Sequence, residues 1–218
     1  AMAALEAGAT TMGNISHYFS HRVLYYDDEV GMAASTVKAL ALVAAQPVEV
    51  LIHSNQDDGF GPLFADLACC LGVVLIEKHI VGDMLGAIHA PIFGNMFINP
   101  LNRMAYQRVL RRITDTPCAM VYGNTSSYGP DHTANRAVLA TYLSFDIAAQ
   151  RLGPTGHAVT PVPITEYERI PEPEEIIEAQ IFGNRLIERT DDILPLIDLE
   201  AVDAVADRLI EGGRRFKD

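Results

Sequence analysis

The chain has few of the residues that announce a mechanism. It holds three cysteines in 218 residues; two of them, Cys69 and Cys70, are adjacent. They have neither the even count nor the spacing of a disulfide framework or a four-ligand zinc site. A reducing, cytoplasmic compartment is the expected setting. The vicinal pair falls in an apolar helix-forming run, where buried packing outweighs redox chemistry. Basic residues are also scarce: 16 Lys and Arg stand against 28 Asp and Glu, giving a net charge of −12. They form no stripe, which argues against nucleic acid as a partner. No long apolar run is free of charge. The most apolar stretch, residues 63–85, is interrupted by Asp66, Glu77, Lys78, His79 and Asp83, so it reads as a buried helix and no membrane partner is expected. The first eight residues lack a basic segment followed by a long apolar one, so nothing there reads as a secretory signal. Gly-x-Gly-x-x-Gly and Walker motifs are absent, there is no nucleophile elbow, and no Ser, His and Asp set stands out.

What is present is a repeat. A short apolar run ends in a polar cluster and is followed by an amphipathic helix, at residues 9–14, 48–58, 87–95, 118–127 and 158–166. Hydrophobic residues at 49% against 20% charged describe a buried globular core. Periodicity predicts strands at 9–12, 48–53, 87–92, 118–122 and 158–162, the last shortened by Pro161 and Pro163. Residues 1–7 read as a helix end closed by Gly8. Helices are predicted at 28–45, at 63–85 with a break near Gly72, and at 100–113, 134–152, 173–188 and 199–210. On the helix at 100–113 the side chains of Arg103, Arg108, Arg111 and Arg112 are placed largely in solvent.

Strands alternating with helices imply an α/β fold with parallel pairing. Two architectures follow. One is a β/α (TIM-type) barrel of which this chain holds about five units, over residues 1–198, with a C-terminal amphipathic helix and tail at 199–218. The alternative is a doubly wound open sheet. An incomplete barrel has two unpaired sheet edges, so a remaining barrel segment is an expected partner.

Parallel α/β folds build sites just past their strands, and the polar clusters supply the candidates. His17 and His21 follow the first strand, where imidazoles bind an anion or move protons near neutral pH. Their spacing also suits a metal on a helix, but no Glu follows His17 as a metalloprotease motif requires, and a hydrogen-bonded loop is the plain alternative. Asn55, Asp57 and Asp58 end the second strand; the two carboxylates suit a divalent cation or a shared proton, or simply a solvated turn. Asn95 follows the third strand, and Tyr122, Asn124 and Thr125 the fourth. Amide and hydroxyl groups of this kind orient neutral polar groups of a ligand, while Gly94 and Gly123 are equally consistent with tight turns. His79 and His89 read as satisfied core histidines, and no metal site is assigned.

Phe60-Gly61-Pro62-Leu63, Gly94-Asn95-Met96, residues 137–149 and residues 157–171, with Glu166 and Ile170-Pro171, occur in an order and spacing that resembles the barrel chain of glutamate mutase (methylaspartate mutase). That family consists of adenosylcobalamin-dependent carbon-skeleton mutases. The resemblance covers roughly the whole chain and rests on the collinearity of individually weak motifs. It implies the later part of a barrel whose mouth faces a cobalamin held by another domain or subunit, in an oligomeric radical isomerase. Glu166 would then hold the adenosyl ribose hydroxyls, with Asn95 and Asn124 beside the cofactor. His17, His21, Asn55, Asp57 and Tyr122 would line the pocket of a small organic acid or amino acid. The family's lysine falls on Val162 here, and its substrate-gripping glutamate and tyrosines fall near Thr11, His17 and His21. The cobalamin-binding signature Asp-x-His-x-x-Gly is absent, so a partner must carry it. Two other readings stand: a non-catalytic barrel scaffold, and a metal-dependent barrel lyase using Asp57 and Asp58.

Overall fold

The computed structural model describes residues 2–13, 28–55, 66–116, 120–156 and 158–218. These form two compact units, Ala1–Ile92 with Ile210–Asp218, and Phe93–Leu209. His17, His21, Asp57 and Asp58 lie outside the described residues, as do Phe60-Gly61-Pro62-Leu63.

The first unit is a parallel sheet with helices. Helix α1 (Met2–Glu6) ends at Gly8, whose φ of +85° is open to a residue without Cβ. Strand β1 (Thr11–Met12) pairs with β2 (Leu51–Asn55), and β2 with β3 (Ile88–Ile92), all parallel and in chain order. Between β1 and β2 runs α2 (Glu29–Ala44), whose start is set by the Asp28 carboxylate accepting the Gly31 N–H at 2.5 Å. Its buried residues Met32, Thr36, Leu40 and Val43 recur at helical spacing. Leu40 and Val43 meet Val50, Ile52 and Val81 in one core cluster. Each such side chain contributes about 1.5–3 kcal/mol by leaving water.

Helix α3 (Leu67–Lys78) is capped by Asp66, which accepts the Ala68 N–H at 2.8 Å. It runs unbroken through Gly72, contrary to the predicted break. The glycine is there for packing: a Cβ on it would stand 2.5 Å from the Phe216 ring. Gly212 and Gly213 make matching close approaches to Ala68 and Leu71. The irregularity comes later, as a π-helical turn at His79–Met84 that ends at Gly86, φ +66°. His79 is on this turn with about half its side chain exposed, bonded to Asp83 at 2.9 Å. It is not a core histidine, because a helix-surface carboxylate four residues on holds it outside.

The second unit carries β4 (Met120–Val121) and β5 (Ala158–Val159), parallel neighbours, with Phe93 bridging Val121 in parallel. Helix α4 (Pro100–Ile113) starts where Asn99 accepts the Asn102 N–H and Pro100 needs no acceptor. Helix α5 (His132–Leu152) starts at Asp131, which accepts from Thr133 and Ala134. Its Leu139, Tyr142, Leu143 and Ile147 form the core here, against Val159, Ile164 and Phe182. Strand β5 is short, as its prolines predict. Helix α6 (Pro173–Ile187) opens with the Glu175 carboxylate taking the Glu172 N–H at 2.7 Å. The short α7 (Thr190–Ile193) and a 3-10 turn (Leu194–Leu196) lead to α8 (Leu199–Lys217). That helix continues past the predicted end at residue 210, its two glycines kept helical by their packing on α3.

The arginines of α4 do not all face solvent. Arg103 is fully buried, its guanidinium held by Asp146 of α5 at 2.9 and 2.5 Å and by the carbonyls of Gly94, Phe97 and Tyr122 at 2.5–2.8 Å. Arg108 forks onto Asp203 of α8, and Arg112 bridges Asp203 and Asp207. The chain is therefore α/β, with parallel strands in chain order within each sheet. No described helix is long and apolar enough to cross a membrane.

Candidate functional site

In the second unit the segments following Phe93, β4 and β5 are tied together by side chains. Gly94, at φ +129°, turns the chain so that its carbonyl reaches Arg103; a Cβ there would stand 2.1 Å from the Tyr122 carbonyl oxygen. The next residue, Asn95, accepts the Thr125 hydroxyl at 2.6 Å and the Thr125 N–H at 3.3 Å, while its carbonyl accepts from Ser126. Asn124 is fully buried, its Oδ1 accepting the Ser127 N–H at 3.1 Å and its Nδ2 without a hydrogen-bond partner among the described residues. A buried amide donor left unpaired costs about 1–3 kcal/mol. Tyr122 is half-buried beside them.

Tyrosines hold the segment after β5. The Tyr128 hydroxyl donates to the Val162 carbonyl at 3.0 Å, and the Val162 N–H donates to the Tyr142 hydroxyl at 2.9 Å. Gly123 fits beneath them, since a Cβ would meet the Tyr142 oxygen at 2.3 Å. Burial pushes the Tyr128 phenol up to about 12 and the Tyr142 phenol further still, so both stay protonated at neutral pH. The Glu166 charge adds to the rise at Tyr128. Asn135 joins the same segments by donating to the Gly129 and Ile164 carbonyls. Glu166 is exposed on the turn after β5, and its carboxylate makes no ion pair with the described residues.

Asn95, Tyr122, Asn124 and Glu166 thus lie on neighbouring segments of one unit, with a hydrogen-bond network between them. Asn55, in the first unit, is buried at the end of β2. Among the described residues no group of three His, Cys, Asp or Glu is placed to hold a metal. Cys70 is buried, and the Cys69 thiol is pushed up by burial and by Asp66, so neither is a thiolate nucleophile. The chemistry on offer is that of neutral amides and hydroxyls with one accessible carboxylate.

A second polar group lies in the first unit and escaped the sequence reading as a group. His89 on β3 is buried, with Nε2 at 2.9 Å from the Ser54 hydroxyl of β2 and 3.6 Å from Glu77 of α3. Serine and acid therefore share one ring nitrogen, whereas a nucleophilic triad places them on opposite nitrogens. All three side chains are buried, so Ser54 does not meet a substrate from solvent. His89 is the core histidine its strand position suggests, but only half satisfied: Nε2 is bonded, while Nδ1 has no hydrogen-bond partner among the described residues. The signal for its partner was a lone glutamate in an apolar run, Val73-Val74-Leu75-Ile76-Glu77.

The chain matches no protein-family model, no curated protein and no solved structure.

Proposed function

We propose that this chain is the barrel component of an adenosylcobalamin-dependent radical mutase that rearranges a small organic acid or amino acid. One observation carries the reading: Glu166, which the family resemblance assigns to the cofactor, and Asn95 and Asn124, expected beside it, lie on segments joined by the Asn95–Thr125, Tyr128–Val162 and Asn135–Ile164 bonds. The parallel Phe93–Val121 bridge pairs the segment after the third strand with the fourth, the step at which a doubly wound order reverses, and so supports a barrel over a doubly wound sheet.

The donor set fits the nucleoside part of such a cofactor. The Glu166 carboxylate makes no ion pair with the described residues and can accept two hydroxyls at once, as a ribose offers. The Asn124 amide is a buried donor with no acceptor among the described residues. When bound, the cofactor supplies the radical that takes a hydrogen atom from the substrate and later returns it; the protein's part is to position and shield. Tyr128 and Tyr142 hold the Val162 backbone, and with it the turn that carries Glu166, in one place. A cobalamin-binding domain or subunit, a remaining barrel segment, an oligomeric assembly and a cytoplasmic setting belong to the same proposal. The non-catalytic scaffold is the second reading, favoured by Val162, an apolar side chain where the family places a lysine.

Titration of the assembled protein with adenosylcobalamin, followed by its visible spectrum, tests the proposal. Corrinoid binding with turnover supports the mutase; binding without turnover supports the scaffold; no binding removes both cofactor roles. Glu166→Gln should slow cobalt–carbon cleavage about tenfold to a hundredfold, the loss of a charge-assisted bond, with little change in fold. Cleavage at the wild-type rate refutes the assignment of Glu166.

A further inference from the structure

We propose that the second unit carries a separate binding site for a free α-amino acid with an apolar side chain, between α5 and α6. A cavity of about 320 Å³ opens there, the lower end of the range of about 300–1,000 Å³ typical of small-molecule pockets. One helix supplies His132, Arg136 and Leu139 at helical spacing, the other Glu175, Glu178, Ala179 and Phe182, and the turn after β5 closes it.

The floor is apolar, made by Leu139, Ile164, Ala179 and Phe182. The rim is charged, but most of it is already matched. His132 pairs with Glu168 at 2.9 Å, and Arg169 forks onto Glu175 at 2.8 and 2.9 Å. Two opposite charges remain, Arg136 and Glu178, and neither makes an ion pair with the other or with any described residue. A guanidinium and a carboxylate kept apart over an apolar floor complement a zwitterion: the ligand carboxylate meets the Arg136 fork, its ammonium meets Glu178, and its side chain covers Leu139 and Phe182. Glu178, the one rim carboxylate without an ion pair among the described residues, would repel a second ligand carboxylate, so a monocarboxylate zwitterion is preferred to a dicarboxylate. The site stands without the cofactor reading, since it uses neither Glu166 nor the amides after Phe93 and β4.

Isothermal titration of the full chain with L-leucine tests the site. Saturable one-site binding is expected, weakened at least about tenfold by Arg136→Ala or by Glu178→Gln, each of which removes one charge-assisted contact. Both residues are exposed, so circular dichroism and the melting temperature without ligand should be unchanged. 4-Methylpentanoate, which lacks the ammonium, and 3-methylbutylamine, which lacks the carboxylate, should each bind at least about tenfold more weakly than leucine. Absence of saturable binding, binding indifferent to both substitutions, or an analogue that binds as well as leucine overturns the proposal.

Discussion

Removing Asp146 tests what the second unit depends on. Its carboxylate and the Arg103 guanidinium are both fully buried. Burial drives the Asp146 carboxyl up, while Arg103 and the Gln107 amide pull it down. The guanidinium also lies 5.1 Å from the Tyr142 ring centroid and 5.8 Å from that of Phe93. Asp146→Ala therefore leaves a charge in the core with no counter-ion, a loss of about 3–5 kcal/mol. Against a total stability of about 5–15 kcal/mol that is a large fraction. At about 2–4 °C per kcal/mol for a chain of this size, the melting temperature should fall by about 6–20 °C. Arg103→Met should cost more, because it also strips a donor from the Gly94, Phe97 and Tyr122 carbonyls. The double variant Arg103→Met/Asp146→Leu should lose less than the sum of the two, since no lone charge remains. Urea unfolding followed by circular dichroism measures all three. An Asp146→Ala loss below about 1 kcal/mol would show that the pair is hydrated and refute the reasoning.

Gly94→Ala should destabilise by about 1–3 kcal/mol from backbone strain alone, and by more once its Cβ displaces the Tyr122 carbonyl 2.1 Å away; a variant as stable as wild type in the same urea assay would contradict the φ of +129°. Glu175 predicts a pH dependence. Its hydrogen bonds to Arg169 and the Glu172 N–H hold its carboxyl down at about 2, below the ordinary glutamate value of about 4.3. The stabilisation is then fully present above pH of about 4.3 and is lost as pH falls toward 2. Melting temperatures across that window should drop less steeply in Glu175→Gln than in wild type, and parallel curves would count against the pairing.

The strand–helix alternation was legible because it depends on local periodicity. Asp28, Asp66, Asn99 and Asp131 cap helices where the sequence places such residues, and Pro161 and Pro163 end β5 where ladder donors run out. The positions of Asn95, Tyr122 and Asn124 just past strand ends were legible for the same reason. Arg103 was not. Its neighbours Arg108, Arg111 and Arg112 share its chemistry and its helix, and nothing local distinguishes the one that faces a carboxylate forty-three positions away. A hint lay on α5, where Asp146 falls in line with the apolar face of Leu139, Tyr142, Leu143 and Ala149 and so needs a buried partner. Gly72 misled in the same way, since a glycine that breaks a helix and one that admits Phe216 look alike in sequence.

Alone, the sequence determined the α/β class, the alternation of strands with helices and the polar character of the strand ends, because these follow from side-chain spacing within a few residues. Tertiary structure alone decided which polar groups meet, Arg103 with Asp146 and His89 with Ser54 and Glu77, and which share a cavity without pairing, Arg136 and Glu178. Such pairings are set by desolvation, which acts on whatever the folded chain brings together and leaves no period for a sequence to show.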